Sequence, residues 1–382
     1  MDPYANEWLS FLARWLHVVA GIVWIGTSFY FVALDNHLRD DEAWEVHGGG
    51  FYRIQKFTPA PPRLPDVLHW FKWEAYTTWL SGFALFVFLY YFNASTYLVQ
   101  LGDPLGTGWA IAVSIALLAV AWLVYDVLCR LVRNDLRVAA AMLGLTTLAA
   151  WGCSELFAPR AAYLQVGAML GTIMVANVFF VIIPAHRELI RAKEAYREPD
   201  PAPGLEAKRR SVHNNYLTLP VVFAMLSNHF PTAYGHSYSW LVLVALMAIG
   251  AWIRLFFNLH HAGRNAWWIL VTAAAGIAVV AVAIRPSSGP AGAVAAAPVP
   301  FARAQAIVQE RCVPCHSAHP TRVDAAPLGV ELDTPAEMHA RAADIQRVAV
   351  DSQVMPLGNA TKMTPAERAA LAAWIRAGAK IK

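Results

Sequence analysis

Cys312, Cys315 and His316 form the run Cys-Val-Pro-Cys-His, the C-x-x-C-H signature by which a c-type haem is attached. Two thiols at this spacing can add to the two vinyl groups of a porphyrin, and the imidazole of the following residue then ligates the iron. A second axial ligand follows downstream. Met355 is preferred over Met363, because Pro356 stiffens the loop that must present the sulfur. His/Met ligation raises the iron potential and suits an electron acceptor. The competing readings of the motif are a zinc site and a redox dithiol. Zinc wants two further Cys or His at close spacing, and only His319 is near. The motif therefore predicts one covalent haem c, with His316 and Met355 on the metal. The rest of the chain must exchange electrons with it.

A second set of reactive side chains is scattered through apolar sequence, where ionisable groups are costly and read as functional by default. His17 lies about mid-bilayer in the first apolar run, some nine residues from its start. Near the other end of that run is Asp35-Asn36-His37. The second run opens with His69-Trp70-Phe71-Lys72-Trp73-Glu74, the sixth with His213-Asn214-Asn215-Tyr216, and the seventh closes on Arg254, Asn258, His260 and His261. Arg254, Asn258 and His261 are spaced i, i+4, i+7 and share one helix face. Each residue alone could cap or snorkel. Together, at one depth, they predict a polar pocket with Arg for charge, amides for ring edges and indole for stacking. Such a pocket suits a flat, anionic, hydrogen-bonding heterocycle. Catalytic candidates are His213, His261, Glu74, Arg254, Asn258 and Asn214.

The elements that must position these groups follow from composition. Of 382 residues, 57% are hydrophobic and only 15% charged, against about 25% charged in soluble domains. Mean hydropathy is +0.41. Eight membrane spans are expected, at 8–34, 74–97, 109–129, 138–157, 162–184, 213–229, 239–260 and 266–284. Lys and Arg fall almost wholly in alternate loops: Arg39 to Lys72, Arg130 to Arg137, and Arg187 to Arg210. The positive-inside rule makes those loops cytoplasmic and both termini periplasmic, the side on which C-x-x-C-H acquires haem. The formal net charge of +4 matters less than this distribution. Met1 to Trp8 carries no Lys or Arg, so no cleavable signal peptide is expected. Cys129 and Cys153 lie in apolar runs and read as packing residues.

The expected organisation is an all-α, eight-helix transmembrane domain over 1–285, a Pro/Ala-rich linker over 286–300, and a small all-α cytochrome c domain over 301–382. The uncharged linker spans on the order of 20 Å. Thr364-Pro365-Ala366-Glu367 reads as a helix start with a capping box.

The membrane part resembles the bacterial integral-membrane urate oxidases with a fused C-terminal cytochrome c. The resemblance rests on Trp15 to Gly26 (WLHVVAGIVWIG), His69 to Glu74, Met174 to Pro184 (MVANVFFVIIP), His213 to Pro231 (HNNYLTLPVVFAMLSNHFP) and Arg254 to His261. It implies oxidation of urate to 5-hydroxyisourate in purine catabolism. Electrons would pass to the chain's own haem c, then to a soluble cytochrome c or a terminal oxidase. The expected partners are thus urate, the inner-membrane lipid bilayer and that acceptor, with no nucleic acid. The first span also resembles that of the membrane protoporphyrinogen oxidases, which implies a haem b on His17, with His69, His229 or His261 as partner. Two rival readings use the same residues: a membrane oxidoreductase acting on a porphyrin or quinol, and a membrane-anchored electron carrier with no substrate of its own.

Overall fold

A computed structural model describes residues 3–99, 106–236, 238–285, 299–323, 326–351, 355–356 and 359–381. Most of the expected linker, 286–298, lies outside the described residues. The two units it joins are described separately.

The first unit opens with α1 (Pro3–His37), followed by strands β1 (Glu42–His47) and β2 (Gly50–Gln55). α2 (Trp73–Leu85) continues through a π-helical stretch, Phe86–Tyr91, to the short α3 (Ala94–Tyr97). α4 (Gly106–Leu131) and α5 (Asp135–Leu156) follow. α6 (Pro159–Asn177) runs through a second π-helical stretch, Val178–Ile182, into α7 (Ile183–Glu194). α8 (Pro201–Leu226), the short α9 (Pro231–Tyr234), α10 (Ser239–His261) and α11 (Trp268–Ala283) complete the unit. Among the described residues, five helices are long and apolar enough to cross a bilayer: α1, α4, α5, the α6–α7 run and α10. α11 is apolar but has only 16 residues.

α6 is the centre of the bundle. Nearly all of it is buried, against α4, α5 and α8. Small residues let the backbones approach: a Cβ on Gly167 would sit 2.6 Å from the Cβ of Ala224 on α8. The outer helix faces carry exposed Leu123, Leu148 and Val279. Apolar side chains thus face outward as well as inward, the pattern of a bundle whose surroundings are lipid.

Two expectations need correction. The unit is not purely helical, because β1 and β2 pair as an antiparallel hairpin closed by Gly48 and Gly49. Both glycines have positive φ (58° and 82°), which a two-residue hairpin turn requires and most other residues disfavour. The sixth helix also starts earlier than the expected 213. α8 begins at Pro201, where the Asp200 carboxylate accepts from the Ala202 N–H and proline occupies the first turn. Its first three turns are polar, so hydropathy alone hid them.

In the second unit, α12 (Phe301–Arg311) leads into the cysteine motif, α13 (Pro335–Ala340) and α14 (Ala342–Ile345) follow, and α15 (Pro365–Arg376) packs on α12. The core includes Ile307, Val308, Met338, Leu371 and Trp374. Thr364 caps α15 through the expected box, with Glu367 reaching back to the Thr364 N–H.

Candidate active site

The polar candidates of the helical unit gather at the end where α1, α4, α7 and α10 finish and α5 and α8 begin. The Lys/Arg-rich loops lie there, so we call it the basic end. The candidates do not form one group.

Arg254, on α10, is only 3% exposed. Its Nε donates to Oδ1 of Asn215 on α8, and its guanidinium lies 3.8 Å from the ring centroid of Phe29 on α1. Among the described residues no carboxylate pairs with it. Asn215 Nδ2 in turn donates to Asn258 Oδ1 at 3.0 Å, and Asn36 Nδ2 reaches the Asn258 carbonyl at 3.4 Å. His261 lies 5.5 Å, ring to ring, from His37. Arg254, Asn258 and His261 thus lie along one stretch of α10, next to Phe29, Asn36 and His37 from α1 and Asn215 from α8. Taking an ion out of water costs several kcal/mol unless a counter-charge offsets it. Here one amide and one ring face do not supply that charge. The groups left unbonded among the described residues, the Arg254 terminal nitrogens and Asn258 Nδ2, are all donors. The arrangement can hold an anion rich in acceptor oxygens.

His213 and Asn214 belong to a second network. His213 Nδ1 is 2.8 Å from the Tyr125 hydroxyl, and Nε2 is 3.3 Å from Asp135 Oδ1. Asn214 donates to the Met174 carbonyl at 2.9 Å and accepts from Asn177 Nδ2 at 2.8 Å. Arg210 donates to Asp126 (2.9 Å), Glu206 (2.8 Å) and Asn177 (3.3 Å), with its guanidinium 5.1 Å from the Tyr125 ring centroid. Both ends of the Asn214 amide are thus engaged in joining α8 to α6. Beside this network an open cleft of about 690 Å³ lies between α4, α7 and α8. Each of its arginines is ion-paired: Arg130 and Arg210 with Asp126, Arg133 with Glu206, and Arg209 with Asp135. Sequence reading passed over Tyr125, Asp126, Asn177 and Arg210. The usable signal was a carboxylate and an amide inside otherwise apolar helices.

Glu74 and His17 stand apart from both groups. Glu74 lies in the first turn of α2, and its buried Oε2 has no hydrogen-bond partner among the described residues. His17 Nδ1 is 2.9 Å from the Thr78 carbonyl and 3.3 Å from Ser81 Oγ. Its ring lies over Gly82, where any Cβ would sit 2.8 Å from Cε1. His17 thus bridges α1 and α2, with Nε2 unbonded among the described residues.

In the C-terminal unit, Cys312, Cys315 and His316 occupy the turn after α12. Neither cysteine is in a disulfide. Burial pushes the Cys312 thiol up to about 12 and raises Cys315 as well, so neither is primed as the thiolate that a redox dithiol needs. His316 Nδ1 is held 3.1 Å from the Val330 carbonyl, which fixes the ring and leaves Nε2 for a metal. Met355 is half-buried and anchored through its backbone: its N–H donates to Val348 (2.8 Å) and its carbonyl accepts from Arg368 (2.7 Å). Met363 is 2% exposed and packed in the core. The residues fit a covalent haem, with Met355 the more available sulfur.

The family model of the urate oxidase N-terminal region matches residues 3–285. The chain belongs to the urate oxidase N-terminal family. No curated protein and no solved structure matches it. Membership gives the chain a urate-oxidase-like, oxidoreductase character. Within this urate oxidase unit the two polar networks differ in one decisive respect. The arginines of the His213 network are each ion-paired, whereas among the described residues the buried Arg254 has no carboxylate partner.

Proposed function

We propose that the chain is a membrane-bound urate oxidase that converts urate to 5-hydroxyisourate and delivers the electrons to a haem c on its own C-terminal unit. Membership of the urate oxidase N-terminal family supplies the substrate class. The observation that carries the site is the buried Arg254, with no carboxylate partner among the described residues, beside the unbonded Nδ2 of Asn258. Arg254 takes the charge of the urate monoanion, and Asn258 Nδ2 donates to a ring carbonyl. His261, on the same helix face with His37 beside it, removes a ring proton as water adds at C5. The reaction balances as urate plus water giving 5-hydroxyisourate, two protons and two electrons. A haem c, held by Cys312 and Cys315 and ligated by His316 and Met355, would supply a one-electron acceptor that passes the electrons to a soluble cytochrome c or a terminal oxidase. His213, held between Tyr125 and Asp135, keeps α8 in register instead of touching substrate, and Asn214 does the same. His17 has an Nε2 unbonded among the described residues, which a membrane haem b would need. By the positive-inside rule the basic end faces the cytoplasm, and both termini face the periplasm of a bacterial inner membrane.

The test uses the full chain, haem-loaded and in detergent, with urate added in the absence of oxygen. The c-haem absorption is expected to shift to the reduced form, and to need roughly 10- to 150-fold more urate to do so in Arg254→Met. A loaded wild-type sample that urate leaves oxidised rules the reading out.

A further inference from the structure

The β1–β2 hairpin is built with its polarity reversed for an element in water. In the register Ala43↔Ile54, Trp44↔Arg53, Glu45↔Tyr52 and Val46↔Phe51, side chains alternate between two faces. Glu45 accepts a 2.7 Å hydrogen bond from the Tyr30 hydroxyl, so its face looks at α1, and Ala43 on the same face is buried. The outward face then carries Trp44, Val46 and Phe51, exposed by 63%, 70% and 77%. A carboxylate points inward, with Tyr52 opposite it 53% exposed, while Trp44, Val46 and Phe51 point out.

The contacts with α1 also set the hairpin's direction. Lys56, just past β2, pairs with Asp35 near the end of α1. Glu45, further toward the tip, pairs with Tyr30, five residues earlier in α1. The hairpin therefore runs back along the helix toward the middle of the bundle. α1 has 35 residues, about 52 Å at 1.5 Å per residue, some 20 Å more than a hydrocarbon core of about 30 Å. Its last turns fall in the headgroup layer, and the hairpin lies beside them. Along the outward face, Glu42 sits at the base, where it accepts from Arg53 and from the Trp44 indole N–H at 2.8 Å. Trp44 and Arg53 face each other at the next level, and Val46 and Phe51 follow, one step short of the turn. Charge, then indole, then hydrocarbon is the order of a membrane–water interface. The unpaired strand edges forbid deeper entry, since backbone groups cannot be left bare in the core.

We infer that this hairpin is an interfacial anchor, docked on the leaflet at the basic end with Val46 and Phe51 among the acyl chains. The inference rests on the membrane reading of the bundle. The test is a nitroxide attached to the full chain at Val46→Cys in lipid vesicles, with collision rates measured for oxygen and for a water-soluble nickel chelate. Leu123→Cys on α4 is the lipid reference, and Tyr196→Cys, fully exposed after α7, is the water reference. Val46→Cys is expected to favour oxygen severalfold, as Leu123→Cys does, and Tyr196→Cys to favour the chelate. If Val46→Cys follows Tyr196→Cys while Leu123→Cys reports lipid, the anchor is wrong and the bundle stands. If Val46→Cys is shielded from both reagents, the face is covered by protein and the anchor is wrong. If Leu123→Cys itself reports water, the membrane reading fails and the anchor fails with it.

Discussion

Replacing Arg254 with Met separates a ligand-holding cation from a structural one. In the parent protein, Arg254 gives one charge-assisted hydrogen bond to Asn215 and lies on Phe29. That hydrogen bond is worth about 1.5–3 kcal/mol. Removing the charge also lifts the penalty of burying an ion with no counter-charge, which is several kcal/mol. The two effects offset, so Arg254→Met is expected to unfold no earlier than the parent. Urate loses the charge-assisted contact, and 1.5–3 kcal/mol converts to roughly 10- to 150-fold weaker binding. Arg210→Met is the contrasting variant. Arg210 pairs with Asp126 and Glu206, which keep Arg130 and Arg133 as further partners, and breaking a buried pair costs about 3 kcal/mol or more. Arg210→Met should therefore unfold markedly earlier while the protein that remains folded keeps its urate affinity. Calorimetric urate titration and thermal unfolding of the two variants in the same detergent decide the matter. An Arg254→Met protein that binds urate within threefold of the parent, or that unfolds as early as Arg210→Met, refutes the reasoning.

Three further outcomes follow from local geometry. Gly82→Ala puts a Cβ 2.8 Å from His17 Cε1 and is expected to destabilise the bundle by about 1–3 kcal/mol; thermal unfolding should recover much of that loss in the His17→Ala, Gly82→Ala double variant. Met355→Ala is expected to remove the sulfur-to-iron signature from the spectrum of the loaded protein and lower its potential, whereas Met363→Ala leaves the spectrum intact and costs about 2–5 kcal/mol of stability as a core truncation. The Arg311 guanidinium, 2.9 Å away, holds the Glu367 carboxyl below the usual range. The unfolded chain then binds the proton more readily, so stability is present above about pH 4.3 and is lost as pH falls through the lower folded value. Acid unfolding of the C-terminal unit should show that loss in the wild type and lack most of it in Glu367→Gln.

What the sequence yields is governed by which coordinate is being asked for. Position along the bundle axis was legible in part, because hydropathy marks the long apolar stretches of α1, α4, α5, the α6–α7 run and α10, though not those of α2, α8 and α11. Arg254, Asn258, His261 and His37 do converge at one end, and the capping box at Thr364 forms as its residues dictate. Position around each helix was not legible, since a helix apolar on all sides has no stripe to say which way it faces. α8 makes the point in three consecutive residues. At 3.6 residues per turn, neighbours are about 100° apart. His213 accordingly meets Tyr125 and Asp135 on α4 and α5, Asn214 meets Met174 and Asn177 on α6, and Asn215 meets Arg254 and Asn258 on α10. Read as a string, His213 and Asn214 look like members of the Arg254 pocket. In space only Asn215 is, and it entered the reading merely as part of the run. The same loss of angle explains why Asp126 and Asn177 went unnoticed. Each is a polar residue in a largely apolar helix, costly unless partnered, and Arg210, their shared partner, lies on a distant stretch of chain. A site between helices is specified by which faces meet, and one sequence carries that information only where a face repeats, as it does at Arg254, Asn258 and His261.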